Sequence, residues 1–315
     1  MKKISLALAL LLVTGIGVPI LSAKAQEKNK YEKGLNQNQF RLKKVSKTYW
    51  KVTFLNPPIN VVDPETIRQL DTLVTQIEND PNVAVVVFDS GDPNYFMPHF
   101  DVAGDLSVTA TMPNTKRGIH PWPDVLLRLS QVPAVTIASI HGSASGAGSE
   151  FLLACDMRFA SREKAHISQF EVGVGATPGG GAMARLSRMV GRAKAIEILL
   201  TSQDFSGDDL ERVGYVNRVL PDAELDTYVD NLANRIGGFD KYTIARTKQL
   251  IDPGSLPPAS ELQPGWNAFL ETASRPTTGE RVKNLFKEGL YKRGTDVEKR
   301  LGEHDGDFRK AKDVQ

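Results

Sequence analysis

The chain has 315 residues, 41% of them apolar and 24% charged, with one cysteine, Cys155. Its 39 basic and 37 acidic residues nearly cancel, so the basic footprint of a nucleic-acid-binding protein is not indicated. One cysteine cannot close an internal disulfide, so stability has to come from a core, and a chain of this length can bury one.

Met1-Lys2-Lys3 is followed by an apolar stretch over residues 4–21, loosened by Thr14, Gly15, Gly17 and Pro19, and then by Ala23-Lys24-Ala25. A charged start, an apolar run and an A-x-A site form the pattern of a secretory signal, so residues 1–25 are expected to be cleaved and the protein exported, periplasmic or secreted. An uncleaved anchor is the alternative, because the run approaches the ~20 residues that span a bilayer. No second stretch of that length follows, so no stable membrane span is expected after cleavage. Loss of Lys2, Lys3 and Lys24 leaves 36 basic against 37 acidic residues, a net charge of −1. Residues 26–47, rich in Lys, Asn and Gln without apolar periodicity, read as a flexible, solvated leader.

Order is expected from near Tyr49, where Tyr49-Trp50-Lys51-Val52-Thr53-Phe54-Leu55 has strand composition and ends at Asn56-Pro57-Pro58. Over residues 64–79, Ile67, Leu70, Leu73, Val74 and Ile77 keep helical spacing, with Asp63 as cap and Pro64 in the first turn. Val83-Ala84-Val85-Val86-Val87-Phe88 reads as a strand covered on both faces. A helix near 124–129, a buried strand at 134–140, a glycine-rich turn and a helix at 147–154 repeat the unit, which argues a parallel α/β architecture. Short strands at 157–160 and 165–168, helices at 182–189 and 193–200, and a strand at 215–220 follow. Helical patterns run on through 236 and over 242–250. Asp252-Pro253-Gly254-Ser255-Leu256-Pro257-Pro258 breaks that pattern. The core is thus expected over 48–252, with a charged helical C-terminal region over 253–315.

His141-Gly142-Ser143-Ala144-Ser145-Gly146-Ala147-Gly148-Ser149-Glu150 stands between a strand and a helix. Its small residues either let backbone N–H groups approach a ligand at a helix N-terminus or serve tight strand–helix packing. The register of a dinucleotide fingerprint, a phosphate loop and a serine elbow are all missing. Glu150 precedes apolar Phe151-Leu152-Leu153, and Glu171 lies in Ile167-Ser168-Gln169-Phe170-Glu171-Val172, before Pro178-Gly179-Gly180-Gly181. Two carboxyls in dry surroundings can have their pKa values pushed apart and serve as acid and base. Ion pairs to Arg158 or Arg185 are the equal alternative. His120, His141, His166 and His304 show no metal-site spacing, and no metal is expected.

These segments, with Ala154-Cys155-Asp156, Gly191-Arg192-Ala193-Lys194-Ala195 and Gly214-Tyr215-Val216-Asn217-Arg218-Val219, resemble the crotonase (enoyl-CoA hydratase/isomerase) superfamily over about residues 49–252. The resemblance implies a ClpP/crotonase spiral of ββα turns whose helical C-terminal region covers the site and builds a homotrimer or hexamer. Trp266, Phe269, Leu270, Leu285 and Phe286 fit an oligomer contact if the region is too small to bury them alone. It implies an acyl thioester substrate and no cofactor, coenzyme A or another acyl carrier being part of the substrate. Glu150 and Glu171 match the family's acid/base pair and Ala147 its second oxyanion donor. Gly146, Gly148, Phe96, Met97 and Gly179 match positions around the substrate. The first donor motif falls on Phe96-Met97-Pro98-His99-Phe100-Asp101, so the donor would be Pro98, which has no N–H. His99, through its backbone or its imidazole, is the candidate substitute; otherwise the hole is crippled. The expected chemistry is hydration, dehydration or a double-bond shift at the α,β-carbons. A catalytically impaired binding or scaffold protein, and a hydrolase, are the alternatives.

Overall fold

The computed structural model describes residues 38–305. In chain order, β1 (Phe40–Lys44), β2 (Tyr49–Phe54), α1 (Pro64–Asn79), β3 (Val85–Ser90), β4 (Tyr95–Met97), α2 (Leu106–Ala110) and α3 (Pro121–Gln131) come first. They are followed by β5 (Val135–Ile140), β6 (Ser143–Ser145), α4 (Ala147–Ala154), β7 (Met157–Ser161), β8 (His166–Ser168), α5 (Glu171–Val174), α6 (Ala182–Met189) and α7 (Gly191–Thr201). β9 (Phe205–Ser206), α8 (Asp208–Arg212), β10 (Arg218–Leu220) and α9 (Asp222–Gly237) complete the core. The C-terminal region holds α10 (Lys241–Ser255), α11 (Ala259–Ala273), α12 (Pro276–Glu288), α13 (Asp296–Lys299) and α14 (Leu301–Asp305).

One sheet has the order β1-β2-β3-β5-β7-β10 and the other β4-β6-β8-β9. Each of the pairs β3/β4, β5/β6 and β7/β8 gives one strand to each sheet before the chain turns into helix, which is the ββα spiral implied by the resemblance. The crossing from β5 to β6 needs Gly142: its φ is +84°, and a Cβ there would lie 2.1 Å from the Asn94 backbone.

The run at β3 is buried on both faces for a visible reason. Val86 and Phe88 enter a core with Ile67, Leu70 and Leu126, while Val85 and Val87 point the other way, toward Leu225, Val229 and Ala233 of α9. α1 starts as its sequence asks, with Asp63 Oδ1 accepting the Thr66 N–H at 2.7 Å and Pro64 at its first position. Burying Ile67, Leu70, Leu73, Val74 and Ile77 contributes about 1.5–3 kcal/mol for each side chain.

Three expectations need correction. Order starts before Tyr49: Phe40–Lys44 pairs antiparallel with β2, and Phe40 packs on Phe54 with ring centroids 5.1 Å apart. This edge strand turns Arg41, Lys43 and Lys44 to solvent, so only two inward apolar residues marked it. Helix α10 runs through Pro253 to Ser255, and the break falls at Leu256-Pro257-Pro258 instead. Trp266 and Leu285 are buried within the chain itself, while Phe269, Leu270 and Phe286 pack partly buried against the same cores. The C-terminal region folds back on the core and finds partners there, so these residues are no argument for an oligomer. Residues 1–37, on which the expected signal peptide and most of the expected leader fall, lie outside the described residues, as do residues 306–315. Among the described residues no helix is long and apolar enough to cross a membrane.

Candidate active site

α4 brings the glycine-rich turn to the centre of the molecule, with all eight of its residues buried. Gly148 makes that approach fit, because a Cβ there would lie 1.8 Å from the Met97 carbonyl oxygen on β4. Ala147 is the first residue of α4, so its N–H is one of those a helix start leaves without a partner inside the helix. Glu150 sits in the same first turn and is 3% exposed. Its Oε1 accepts the Gly180 N–H at 2.5 Å and its Oε2 the Trp122 indole N–H at 2.9 Å.

Glu171, 7% exposed, opens the short helix α5 and accepts from the Gln169 amide at 3.1 Å on Oε2. Its Oε1 reaches the turn before α4: a Cβ on Gly146 would lie 3.0 Å from it and 2.6 Å from the Phe170 ring. With φ at +54°, Gly146 is required both for the bend and for the space. Gly180 is under the same constraint, since its Cβ would lie 2.3 Å from Glu150 Oε2 and 2.5 Å from Trp122 Nε1. Gly179 abuts Trp266 and Phe269 of α11, which close the loop from the C-terminal side.

Neither carboxylate forms an ion pair with the two arginines considered above. Arg158 donates to the carbonyls of Leu152, Cys155 and Tyr215, and Arg185 to Ser130 Oγ and the Leu153 carbonyl. Burial drives both glutamates well above the ordinary carboxylate range. On Glu150 the Trp122 and Gly180 hydrogen bonds and the field of Arg185 oppose that rise. On Glu171 the charge of Glu150 adds to it, with the Gln169 amide among the opposing groups. Glu150 is therefore the better place for the negative charge and Glu171 for the proton, the two titrating as a pair.

The first donor loop is arranged differently from expectation. Pro98 follows β4, and its carbonyl accepts the Ser145 N–H at 3.1 Å. The His99 ring is 1% exposed, with Nδ1 at 2.7 Å from the Phe100 carbonyl and Nε2 at 3.3 Å from Glu298. Both ring nitrogens are thus engaged away from Ala147, and the imidazole is not the substitute donor. Phe96 and Met97 are both buried against α4, Phe96 on Phe151 with ring centroids 6.1 Å apart and Met97 beside Gly148 at the helix start. Trp122, Gln169 and Gly180 escaped the sequence reading as functional residues. Gln169 and Gly180 lie inside the segments that carried the resemblance, but Trp122 has no motif around it.

The fold and this pair of buried carboxyls at a glycine-rich helix start define a crotonase-type protein. The enoyl-CoA hydratase/isomerase family pattern matches residues 44–253. The chain is 33% identical over 205 residues to the short-chain-enoyl-CoA hydratase of Clostridium acetobutylicum, covering 64% of this chain and 77% of that one. It is 29% identical over 205 residues to the crotonyl-CoA hydratase of Syntrophomonas wolfei, covering 64% and 78%. A crystal structure of a candidate enoyl-CoA hydratase from Streptomyces avermitilis superimposes with a TM-score of 0.80 at 40% identity, covering 85% of this chain and 96% of that one. The chain belongs to the enoyl-CoA hydratase/isomerase family.

Proposed function

We propose that this family member performs acid/base chemistry on a short enoyl thioester, adding water across the α,β double bond or removing it. Glu150, ionised, takes a proton from the water that attacks the β-carbon, and the protonated Glu171 gives its proton to the α-carbon. The Ala147 N–H donates to the thioester oxygen and stabilises the charge that grows there. Gly146 and Gly148 let backbone and substrate approach, and Met97 and Gly179 border the site. Coenzyme A is the carrier most consistent with the relatives' names, and it enters as part of the substrate. The observation that carries this reading is a pair of buried glutamates with unequal surroundings, one furnished for charge and the other for a proton.

Loss of crotonyl thioester absorbance tests it. Glu150→Gln and Glu171→Gln should each lower kcat by at least ~10²-fold while the fold survives. A wild-type protein indifferent to both changes sinks the reading. A wild type that binds the thioester without turnover supports the impaired binding protein, for which Pro98 is the specific ground. Export with cleavage after Ala25 belongs to the same proposal, and mass spectrometry of the N-terminus decides it. So does a trimeric assembly. Its support is the exposed apolar set Leu200, Tyr242, Leu250 and Ile251, with α10 burying none of its residues in the single chain. Light scattering at micromolar concentration checks it.

A further inference from the structure

Glu150 is held by more than its own helix and the Gly180 loop. The Trp122 indole, 3% exposed, stands against it and occupies Oε2. Trp122 is in turn fixed from two sides. Its backbone N–H donates to His120 Nδ1 at 3.2 Å, and His120 Nε2–H donates to the Thr109 carbonyl at 2.9 Å. That pattern requires a neutral imidazole carrying its proton on Nε2. The same ring lies flat on Trp266 of α11, centroids 3.7 Å apart and planes 10° apart, and Gln263 Oε1 accepts the His120 N–H at 2.7 Å. The C-terminal helix thus reaches the carboxylate through His120 and Trp122.

We propose that Trp122 is a positioning residue for Glu150, fixing the plane of its carboxylate and favouring its ionised form for proton abstraction. This rests on the acid/base reading above. Two donors on opposite oxygens remove the freedom of the terminal torsion, which in glutamate is otherwise broad. A carboxylate has about four acceptor sites, so a water can still be bound while the indole and the Gly180 and Ala182 N–H groups stay in place. A charge-assisted hydrogen bond inside a dry site is stronger than a neutral one, so its loss should be felt as proton affinity and not only as packing. The other groups facing Glu150 are Glu171, Arg185, Tyr215 and the N–H groups of Gly180 and Ala182. None is altered by Trp122→Phe.

The test has a structural and a kinetic arm. With 15N-labelled tryptophan, the indole N–H signals of Trp50, Trp122 and Trp266 are followed against pH, Trp122 being assigned by Trp122→Phe. If that variant does not fold, Trp50→Phe and Trp266→Phe assign it by elimination. The Trp122 signal should move with a titration step that Glu150→Gln abolishes. In the kinetic arm, Trp122→Phe should raise the acid limb of kcat/KM by about 1 pH unit and lower kcat about tenfold or more, with a smaller change in KM. An indole signal indifferent to pH and to Glu150→Gln overturns the proposal, even if the wild type is an active hydratase. The reverse pattern, a coupled indole in a protein without turnover, overturns the acid/base reading and with it the catalytic role of Trp122. It leaves only a hydrogen-bonded pair. An unshifted acid limb in an active Trp122→Phe variant also overturns the proposal.

Discussion

His99 Nε2 meets Glu298 Oε2 at 3.3 Å in a pair whose side chains are 1% and 0% exposed, tying the loop after β4 to helix α13. Glu298 also accepts the Tyr291 backbone N–H, and the Tyr291 hydroxyl reaches Asp101 on the same loop. Removing one member strands the other's polar groups out of water. His99→Ala and Glu298→Ala should therefore each destabilise the fold by about 3–5 kcal/mol in denaturant titrations. The double variant should cost clearly less than the sum, since the second change removes the stranded partner.

The same pair sets a pH dependence. Burial alone would lower the His99 pKa, but the charge of Glu298 and the bonds to Glu298 and Phe100 outweigh it, and the net shift is upward. His141 is raised too, by hydrogen bonds to Asp226 and Asp222 that outweigh burial. A histidine raised on folding stabilises fully below its unfolded value of about 6.5 and loses that contribution as pH climbs through the folded value. Asp222 has the opposite sign. Burial opposes, but Lys164 and His141 hold it down to about 2, so its contribution is present above its unfolded value and lost as pH falls toward 2. The urea midpoint of the wild type should exceed that of His141→Gln most at about pH 5–6, and the gap should narrow toward pH 8. A gap that widens with rising pH would contradict the assignment.

Much of this architecture was legible where one segment carries its own instruction. The bounds of α4 follow from Gly146 and Cys155-Asp156, and the double-faced strand at Val85-Val86-Val87-Phe88 needs no knowledge of its neighbours. Three-residue strands such as Tyr95–Met97 and Ser143–Ser145 are too short to show a period, so of the second sheet only the strand near 165–168 was legible from the residues themselves. Glu150 and Glu171 could be named from their apolar company, but not the inequality between them. That depends on an indole 28 residues upstream of Glu150 and a glycine N–H 30 residues downstream. The engagement of His99 was hidden for the same reason, its partner lying 199 residues away.

Gly180 should tolerate no side chain. A methyl group there would press on Glu150 Oε2 and Trp122 Nε1, both buried and both hydrogen-bonded, with no flexible end free to retreat. Gly180→Ala should destabilise by about 1–3 kcal/mol through overpacking and lower kcat by ~10²-fold through displacement of Glu150. Gly254→Ala, with open space around its Cβ, is the control and should leave kcat unchanged and cost no stability, since alanine favours the helix it lies in.

Pro98→Ala should raise turnover. Pro98 lies just past β4, and its carbonyl already accepts the Ser145 N–H, two residues before Ala147. An alanine at 98 would restore an N–H in the loop that this bond holds beside the strand leading into α4. The loop should keep its path without the proline ring, because main-chain bonds pin it on both sides. Ser145 holds the Pro98 carbonyl, Val62 donates to His99 O at 2.9 Å, and Asp101 donates to Val62 O at 2.7 Å. One oxyanion donor is worth ~10²–10³ in rate, and an imperfectly aimed one less, so kcat should rise at least about tenfold. KM should change little, since the new bond strengthens only as charge reaches the thioester oxygen. The readout is steady-state hydration of a crotonyl thioester by wild type and Pro98→Ala at matched fold stability. A rate that falls or stays level would mean that the site already has a complete hole elsewhere, or that its chemistry does not pass through an oxyanion beside Ala147.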